Sequence, residues 1–361
     1  RAADVNVIFN LRLKNLTDPA DDVRLAKYIM THYSSQLTSF TIGNEPNVYF
    51  KQYADYRAMW KKFADAIEAA VPGAPLNGPS TTPGKTFWAR EFAGDFAGAG
   101  FLRLVTQHAY PGGNARLVAD PAAARAKILA AEMDKSYETF YQSFVPAVWK
   151  NHEQFRLEEA NSLFHGGATG VSNSFASALW GLDFMHWWAE HGAEGINFHT
   201  GNHFTVDEQR VPGGYDISYS TPRGLETHPM AYALKAFSLS NRGKCIPVTV
   251  ESGQEKLNLT AYAVADPQGE LILTVINKEI GRPDVLVRVN AGPAYRSMDM
   301  MRLMNSDGDP AAVSGSILGG SEIAGDGAWN GAWSAPQSED SSGRFAFHLP
   351  SAAAAVVRIR P

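Results

Sequence analysis

The chain has 361 residues, of which 45% are hydrophobic, and a formal net charge of -5. This size and composition allow one large core or two smaller ones. The mildly acidic balance, without a basic stripe, argues against a nucleic-acid binder, and the apolar stretches are too short or too interrupted to span a bilayer. We therefore expect no nucleic-acid partner and no membrane association.

The sequence contains a single cysteine, Cys245, so no disulfide can form within the chain. One cysteine is compatible with export or with the cytosol. No signal peptide is present and the sequence begins at Arg1 rather than Met, which we interpret as a processed or truncated start. For location, we expect a secreted or periplasmic protein.

The first two thirds of the chain alternate apolar runs with helical patterns, which is typical of a parallel sheet with helices outside it. The helical pattern begun by Asp120-Pro121 is long, and the one at 174–191 is apolar almost all round. Six strands are predicted, at about 5–13, 40–43, 75–80, 104–110, 155–159 and 195–199.

Near residue 243 the pattern changes to short β-rich runs separated by turn residues, with no convincing helix. We predict a compact β-sandwich over 243–361, after a catalytic domain over 1–242, with long surface loops at 314–342. The predicted β-runs lie at about 248–250, 257–264, 271–277, 285–289 and 354–359.

Polar side chains occur where the predicted strands end. In a parallel barrel these ends open onto one face, where barrel enzymes have their active sites. Two carboxylates there are the minimum for glycoside hydrolysis, one to protonate the leaving oxygen and one to attack the anomeric carbon or activate water. In chain order the residues are Asn44, Glu45, His108, Tyr110, Glu158, Glu159 and His199.

Each of these residues also has a purely structural interpretation. A glutamate after a strand is often a solvated loop residue, and His108 and Tyr110 share one face of their strand, as a hydrogen-bonded core pair would. Glu45 favours chemistry more strongly, because a polar group placed against a core is costly without a purpose. The pattern alone does not choose between Glu158 and Glu159, since adjacent strand residues face opposite ways.

Two motifs stand out. Residues 39–47 (SFTIGNEPN) close the second strand, and Glu159-Ala160-Asn161-Ser162, followed by Gly166-Gly167, closes the fifth. Together they resemble the acid/base and nucleophile segments of the heparanase and β-glucuronidase family, glycoside hydrolase family 79, and the similarity continues along nearly the whole chain. The resemblance implies an α/β fold, a (β/α)8 TIM-type barrel followed by a C-terminal β-sandwich.

The resemblance also implies roles for individual residues. Glu45 corresponds to the general acid/base and Glu159 to the nucleophile of a retaining enzyme. Asn44 is implied to hydrogen-bond the sugar 2-hydroxyl, and Tyr110 to orient Glu159, with His108 nearby. Residues implied to lie by the sugar carboxylate are Gly201, Asn202 and His203, beyond the strand that ends at His199. No cofactor and no metal ion are expected.

The two glutamates follow the second and fifth predicted strands, whereas the family's barrel has them after the fourth and seventh. The numbering agrees if about two βα units are missing from the start. A six-stranded barrel would leave two exposed edges, which natural sheets avoid. We therefore predict that a separate N-terminal segment of the same protein completes the barrel.

A long connection joins the strand ending at His199 to a helix near residue 229. Long loops on the catalytic face commonly shape specificity, and this one looks longer than in the endo-acting heparanases. We expect it to close one end of the cleft. A uronate carboxylate there needs donors, which could be backbone N–H groups near Gly214, the Tyr215 hydroxyl or an arginine, Arg210 or Arg223.

These observations predict a retaining exo-β-glucuronidase that removes terminal β-linked glucuronic acid from an oligo- or polysaccharide. An endo-acting, heparanase-like enzyme is the alternative with the same chemistry, although the acidic balance weighs against a sulfated substrate. A non-catalytic carbohydrate-binding barrel is a third interpretation. A metal-dependent barrel enzyme is disfavoured, because no spaced ligand cluster is evident in the sequence.

Overall fold

The computed structural model describes residues 5–200, 204–206, 209–211, 214–221, 224–253, 256–335, 338–339 and 342–361. The chain divides into two compact units. The first comprises Arg1–Ala109, Lys135–Ala160 and Gly192–Phe198, and the second comprises Tyr110–Asp134, Asn161–His191 and His199–Pro361. The domain boundary expected near residue 243 is not tested by this division and stays a prediction.

The first unit is built on a six-stranded parallel sheet whose strands follow one another in sequence order. They are β1 (Val7–Leu11), β2 (Leu37–Ile42), β3 (Leu76–Thr81), β4 (Leu102–Ala109), β5 (Phe155–Ala160) and β6 (Ile196–Phe198). All six were predicted within a few residues. Parallel neighbours need long crossover connections, which explains why strand–helix alternation was visible in the sequence.

The helices are α1 (Ala20–Tyr33), α2 (Tyr53–Ala70), α3 (Thr86–Asp95), α4 (Pro121–Leu129), α5 (Met133–Gln142), α6 (Val145–Lys150), α7 (Phe175–Glu190) and α8 (Pro229–Ser240). The single long helix expected after Asp120 is wrong, because α4 ends where Ala130 adopts an extended backbone. Its predicted start is confirmed, since the Asp120 carboxylate accepts a hydrogen bond from the Ala122 N–H. Within the described ranges, no helix is long and apolar enough to cross a membrane.

Aromatic side chains of α2 and α3 pack against one face of β3. The Trp60 and Phe92 rings meet edge to face with centroids 4.8 Å apart, and Tyr56 stacks on Trp88 at 5.4 Å. Gly78 on β3 permits this approach, because a Cβ there would lie 2.8 Å from the Phe92 ring and 3.0 Å from the Trp60 nitrogen. Burying each such ring is worth about 1.5–3 kcal/mol, so this layer anchors β3.

The opposite face of the sheet is polar and concave. The Thr41 hydroxyl on β2 donates to the Glu158 carboxylate on β5, although β3 and β4 lie between these strands. In a flat sheet, strands three positions apart are separated by roughly 14 Å. The contact therefore requires a strongly curled sheet, and the first unit is a half-barrel of six strands.

β1 is an outer strand of the half-barrel. Among the strands that the structure describes, β1 pairs with β2 alone. Val7, its first residue, is 42% exposed. An exposed strand edge presents backbone groups to any strand that can pair with it, so this edge is where further strands can add.

The second unit has regular structure in the connection that the sequence predicted to be a long loop. Two short hairpins occupy it, formed by β7 (Phe204–Val206) with β8 (Gln209–Val211) and by β9 (Ser218–Thr221) with β10 (Gly224–Thr227). The connection is therefore partly ordered by its own backbone pairing.

The β-rich region of the second unit contains two antiparallel sheets. Their strands are β11 (Lys244–Ile246), β12 (Leu259–Ala265), β13 (Leu271–Asn277), β14 (Val285–Asn290), β15 (Ser297–Asn305), β16 (Ser316–Leu318), β17 (Ser338–Glu339), β18 (Arg344–Leu349) and β19 (Ala353–Arg360). The larger sheet has the order β11-β12-β13-β19-β15-β16 and the smaller β14-β18-β17. Phe347 of the smaller sheet shares one apolar cluster with Val275 and Val357 of the larger.

Several sequence predictions fail in this region. The run at 248–250 is not a strand, and β16 and β17 lie inside the stretch expected to be loop. β11, β15 and β18 were missed. β15 is rich in Met and charged residues rather than in the β-branched residues that mark strands, although its side chains alternate between buried and partly exposed positions. The described part of 243–361 contains no α-helix, as predicted.

A buried ion pair ties α7 to the larger sheet of the second unit. The Asp183 carboxylate on α7 accepts hydrogen bonds from Thr260 at 2.6 Å, Tyr262 at 2.9 Å and the Lys278 ammonium at 2.9 Å. Asp183 is 2% exposed and Lys278 3%. Breaking such a pair by removing one partner typically costs about 3–5 kcal/mol, so these contacts hold the helix to β12 and β13.

His186, one turn further along α7, makes folding stability depend on pH. Its Nε2 lies 3.1 Å from the Ser240 hydroxyl and its ring stacks on Tyr262. Burial lowers the pKa of His186 from 6.5 to about 4, against the attraction of Asp183. The unfolded chain therefore binds a proton between these pH values that the folded chain does not. As pH falls from 6.5 to 4, we expect the contribution of His186 to lower the free energy of unfolding by about 3 kcal/mol.

Denaturant unfolding at intervals between pH 4 and pH 7 measures this effect. The matched control is His186→Gln, which cannot titrate and should flatten the pH dependence by the same amount. An identical slope in the wild type and the variant would contradict the assignment.

Candidate active site

Glu45 lies in a strained turn directly after β2. Gly43 has φ +83° and Glu45 itself has φ +45°, a left-handed conformation that is uncommon for residues with a side chain. The Glu45 N–H donates to the Ser80 carbonyl at 2.9 Å, and Ser80 also has a positive φ, +50°. Each such residue costs about 1–3 kcal/mol and persists only where its surroundings impose it, as at functional sites.

Glu159 lies near the end of β5, where the pairing with β4 is irregular. Gln107 pairs with Leu157 and His108 with Glu159, so Glu158 is skipped. An extra residue of this kind breaks the strict alternation of side chains and redirects them. Glu159 is thereby placed beside His108 on the neighbouring strand.

The structure brings Glu45, His108 and Glu159 together. His108 Nδ1 lies 3.2 Å from Glu45 Oε1 and 3.7 Å from Glu159 Oε1. One ring nitrogen of His108 and one oxygen of each glutamate all lie within 4.8 Å of one another. The side chains of Glu45 and Glu159 are 33% and 22% exposed, whereas His108 is buried. Two carboxylates therefore face a small accessible space at the ends of β2 and β5.

This spacing indicates which hydrolytic geometry the pair can support. Retaining glycosidases have carboxyl groups about 5–5.5 Å apart, and inverting ones about 6.5–9.5 Å apart, because an inverting enzyme must fit a water between substrate and base. One oxygen of each glutamate lies within 4.8 Å of the other, a closest approach that is compatible with the shorter spacing.

The same three groups are also a possible ligand set for a divalent cation, because imidazole and carboxylate ligands suit several such metals. The sequence placed these residues at the ends of separate predicted strands on one face, but it gave no ligand spacing that predicts a metal site. The expectation of a metal-free enzyme stays a prediction.

Glu158 does not join this group. Its Oε1 accepts a hydrogen bond from the Thr41 hydroxyl, and its Oε2 accepts one from the Ser80 hydroxyl at 2.6 Å. Of the two adjacent glutamates, the one that lies beside Glu45 and His108 is Glu159. Asn44, the predicted ligand of the sugar 2-hydroxyl, has an exposed side chain in the turn before Glu45.

The remaining predicted binding residues belong to the second unit. Tyr110 is buried, and its ring lies edge-on to Phe164 with centroids 6.1 Å apart. Tyr215 is 4% exposed and meets the His199 ring edge to face at 5.1 Å. Gly214 is closely packed, because a Cβ there would lie 2.7 Å from the carbonyl carbon of Gly167. Within this unit the structure thus brings His199 and Tyr215 together.

Gly201, Asn202, His203 and Arg223 lie outside the described residues, and only the backbone of Arg210 is described. The binding roles of these residues, and of Asn44, His108, Tyr110, His199, Gly214 and Tyr215, stay predictions.

The sequence analysis did not predict a buried network of polar side chains on β3 and β4. The Ser80 hydroxyl lies 2.8 Å from the Thr106 hydroxyl, and the Thr81 hydroxyl bonds Gln107 at 2.5 Å. These residues are fully buried within strands. The network could have been found from the sequence, because polar residues inside otherwise apolar strands predict a polar interior face. Buried polar groups need hydrogen-bond partners, so such residues are expected to contact one another.

Gly43 tests how tightly the turn holds Glu45. A Cβ at Gly43 would lie 2.8 Å from the Tyr49 hydroxyl and 3.0 Å from the Leu13 Cβ. We expect Gly43→Ala to lower the free energy of unfolding by about 2–5 kcal/mol, from backbone strain and overpacking together. We also expect it to lower kcat by roughly 10-fold or more, through misplacement of Glu45.

The matched control is Gly73→Ala, because Gly73 has a similar φ of +79° but nothing near its missing Cβ. That change should cost only about 1–2 kcal/mol and leave kcat unchanged. Chemical denaturation and steady-state kinetics measure both variants. Equal effects at the two glycines would show that the Gly43 turn has no special role.

Comparison with known proteins shows that the chain shares its fold with solved glycoside hydrolases. The chain is similar to a 4-O-α-L-rhamnosyl-β-D-glucuronidase from Fusarium oxysporum 12S, with a TM-score of 0.71, 17% identity and coverage of 97% of this chain and 76% of that one. It is similar to a GH51 arabinofuranosidase from Xanthomonas axonopodis pv. citri, with a TM-score of 0.68, 12% identity and coverage of 98% and 76%. At these identities the likeness establishes the fold alone.

Sequence comparison gives a shorter match. Over 48 residues the chain is 44% identical to a β-glucuronidase of Aspergillus niger, a segment that makes up 13% of this chain and 9% of that protein. No protein-family model matches the chain.

Proposed function

We propose that the protein is a retaining exo-β-glucuronidase that hydrolyses terminal β-linked glucuronic acid from glycans. The observation that carries the proposal is the approach of the Glu45 and Glu159 carboxylates around His108, within 4.8 Å. The substrate class is supported by the local match to a β-glucuronidase and by the fold shared with a glucuronidase solved with the disaccharide Rha-GlcA.

In the first step of the proposed reaction, a Glu159 oxygen attacks the anomeric carbon of the terminal sugar. The bond from that carbon to the glycosidic oxygen breaks, and the protonated Glu45 carboxyl donates its proton to the departing oxygen. The product of this step is a glycosyl ester on Glu159 together with the free aglycone.

In the second step, water attacks the anomeric carbon from the face that the aglycone left. Glu45, now ionised, accepts a proton from this water, and the Glu159 carboxylate leaves. Two inversions give net retention, so the first product is the β-anomer of glucuronic acid. With its proton on Nδ1, His108 donates to Glu45 Oε1 and leaves the other Glu45 oxygen for proton transfer.

We propose further that the half-barrel is part of a complete (β/α)8 barrel. The outer edge of β1, which no other described strand pairs with, and its exposed Val7 support pairing with additional strands, supplied by an N-terminal segment of the same protein. The two C-terminal sheets, with their shared apolar cluster, are proposed to form the β-sandwich domain. Activity of residues 1–361 alone, equal to that of the full-length gene product, would count against the missing strands.

We propose exo action because the connection between β6 and α8 is long enough to close one end of the cleft. We also propose that groups of this connection, near Gly214 and Tyr215, recognise the uronate. Digestion of a polymeric uronan should release single glucuronic acid from the outset. Oligosaccharides appearing first would instead identify an endo-acting, heparanase-like enzyme.

The proposal is tested with the full-length gene product on 4-nitrophenyl β-glucuronide and on the matched β-glucoside. We expect at least about 100-fold higher kcat/KM on the glucuronide, because a site built for a carboxylate leaves its donors unpaired with a glucoside. Proton NMR of the first product should show the β-anomer. Binding without turnover would favour a non-catalytic carbohydrate-binding protein. A secreted or periplasmic location is likewise proposed, and fractionation of the host cells tests it.

A further inference from the structure

Glu158 has a defined environment that the proposed reaction does not use. It lies on the concave face of the half-barrel and is only partly exposed. One carboxylate oxygen accepts from Thr41 on β2 and the other from Ser80 on β3. A carboxylate is costly to remove from water without such partners. The hydrogen bonds of Glu158 connect its own strand, β5, to β2 and β3, which suggests a specific role for this side chain.

The hydroxyl hydrogen bonds have a direction. A serine has one hydroxyl proton, and Ser80 uses it toward Glu158 at 2.6 Å. The Thr106 hydroxyl on β4, 2.8 Å from Ser80, must then donate to the Ser80 oxygen. The resulting chain runs from Thr106 through Ser80 to Glu158, so the carboxylate fixes the orientation of both hydroxyls.

Ser80 links this chain to the proposed acid/base. Its carbonyl accepts the Glu45 N–H at 2.9 Å, and both residues have left-handed backbone conformations. Thr41, the other donor to Glu158, lies on β2 just before the turn that holds Glu45. Glu158 therefore connects the ends of β2 and β3. Glu45 follows the first of these strands and hydrogen-bonds to Ser80 of the second.

Arg156, two residues earlier on β5, interacts electrostatically with Glu158. Burial lowers the pKa of the Arg156 guanidinium, and the carboxylates of Glu158 and Glu194 oppose that shift. An arginine remains protonated under these conditions, so a positive charge acts on the Glu158 carboxylate.

We infer that Glu158 is a positioning residue that holds Glu45 in place for proton transfer by fixing Thr41 and Ser80. This inference rests on the proposed function, since it assigns Glu45 to the acid/base step. Glu158 bonds Thr41 and Ser80 rather than Glu45, so it acts on the acid/base through these two residues. Its effect should therefore appear where proton donation to the leaving group limits the rate, and be small where the leaving group departs without help.

Two aryl β-glucuronides separate these cases in the full-length protein. Phenyl β-glucuronide has a poor leaving group that needs the acid, and 4-nitrophenyl β-glucuronide has a good one. For Glu158→Gln, which keeps the shape of the side chain, we expect kcat/KM on the phenyl substrate to fall by about 10- to 100-fold. On the 4-nitrophenyl substrate it should fall by less than about 3-fold, with KM nearly unchanged.

Thr41→Val provides an independent variant, because it removes one donor to Glu158 without changing side-chain size. It should show the same selective loss with a smaller amplitude, and it decides the question if Glu158→Gln does not fold. The control is Glu153→Gln, two residues before β5, whose carboxylate accepts a hydrogen bond from the Gly98 N–H. That variant should match the wild type on both substrates.

An equal loss on both substrates would mean a general structural role and would overturn the inference, as would no loss in either variant. A wild-type protein inactive on both glucuronides would instead refute the proposed function, and with it the acid/base assignment. The two failures are therefore distinguishable.

Discussion

Replacing Glu159 by Gln is expected to lower kcat by about four or more orders of magnitude, because an amide cannot act as the nucleophile and removing a nucleophile has effects of that size. The side chain is partly exposed and lies near the end of β5. The change should therefore shift the midpoint of thermal unfolding by no more than a few degrees. Stopped assays with high enzyme concentration and differential scanning fluorimetry measure the two quantities.

The adjacent glutamate provides the matched comparison. Glu158→Gln has the same chemical change one residue earlier, but Glu158 bonds Thr41 and Ser80 rather than lying beside Glu45. It should retain at least about 1% of wild-type turnover. If Glu158→Gln is inactive and Glu159→Gln retains substantial activity, the nucleophile is misassigned.

Glu45→Ala should lower kcat/KM by about 10²- to 10⁴-fold on phenyl β-glucuronide, the usual contribution of a general acid. On 4-nitrophenyl β-glucuronide the first step should survive, because that leaving group departs without protonation. The second step should then become limiting, since no base activates the water, and the glycosyl ester on Glu159 should accumulate.

Azide provides a direct test of this second step, because it is anionic and needs no general base. Added to Glu45→Ala, it should attack the ester, release Glu159 and yield β-glucuronosyl azide, with a raised kcat on the 4-nitrophenyl substrate. His108→Ala is the comparison: it removes the 3.2 Å contact to Glu45 Oε1 but keeps the carboxyl, so azide should not rescue it. Absence of the azide product with Glu45→Ala would exclude Glu45 as the acid/base.

The sequence was sufficient to predict the six parallel strands of the half-barrel. Alternating apolar runs and helical segments place all six strands of the first unit within a few residues of their observed positions. Parallel strands that are buried on both faces are recognised as apolar runs. Each run lies within a few consecutive residues, so it can be found without knowledge of the tertiary structure. The cap at Asp120 was predicted for the same reason, since a capping carboxylate and the N–H it accepts from lie within two residues.

The failures have a physical cause in tertiary packing. β15 contains four methionines rather than β-branched residues, and it is held as a strand by pairing with β19 and β16, which come later in the sequence. Strand preference depends on neighbours across the sheet. A short window of sequence therefore carried no signal for it.

The active-site residues divide in the same way. Strand ends and polar residues determined that Glu45, His108 and one glutamate of the 158–159 pair would lie at one edge of the sheet, because carboxyl ends of parallel strands meet there. Which glutamate lies beside Glu45 was decided only by the register of β5 against β4, where the pairing skips Glu158 and sets Glu159 opposite His108. Register depends on contacts between residues some 50 positions apart in the chain, and alternation along one strand cannot encode it. The role of Glu158 likewise depended on the curl of the sheet, which brings Thr41 within hydrogen-bonding reach across two intervening strands.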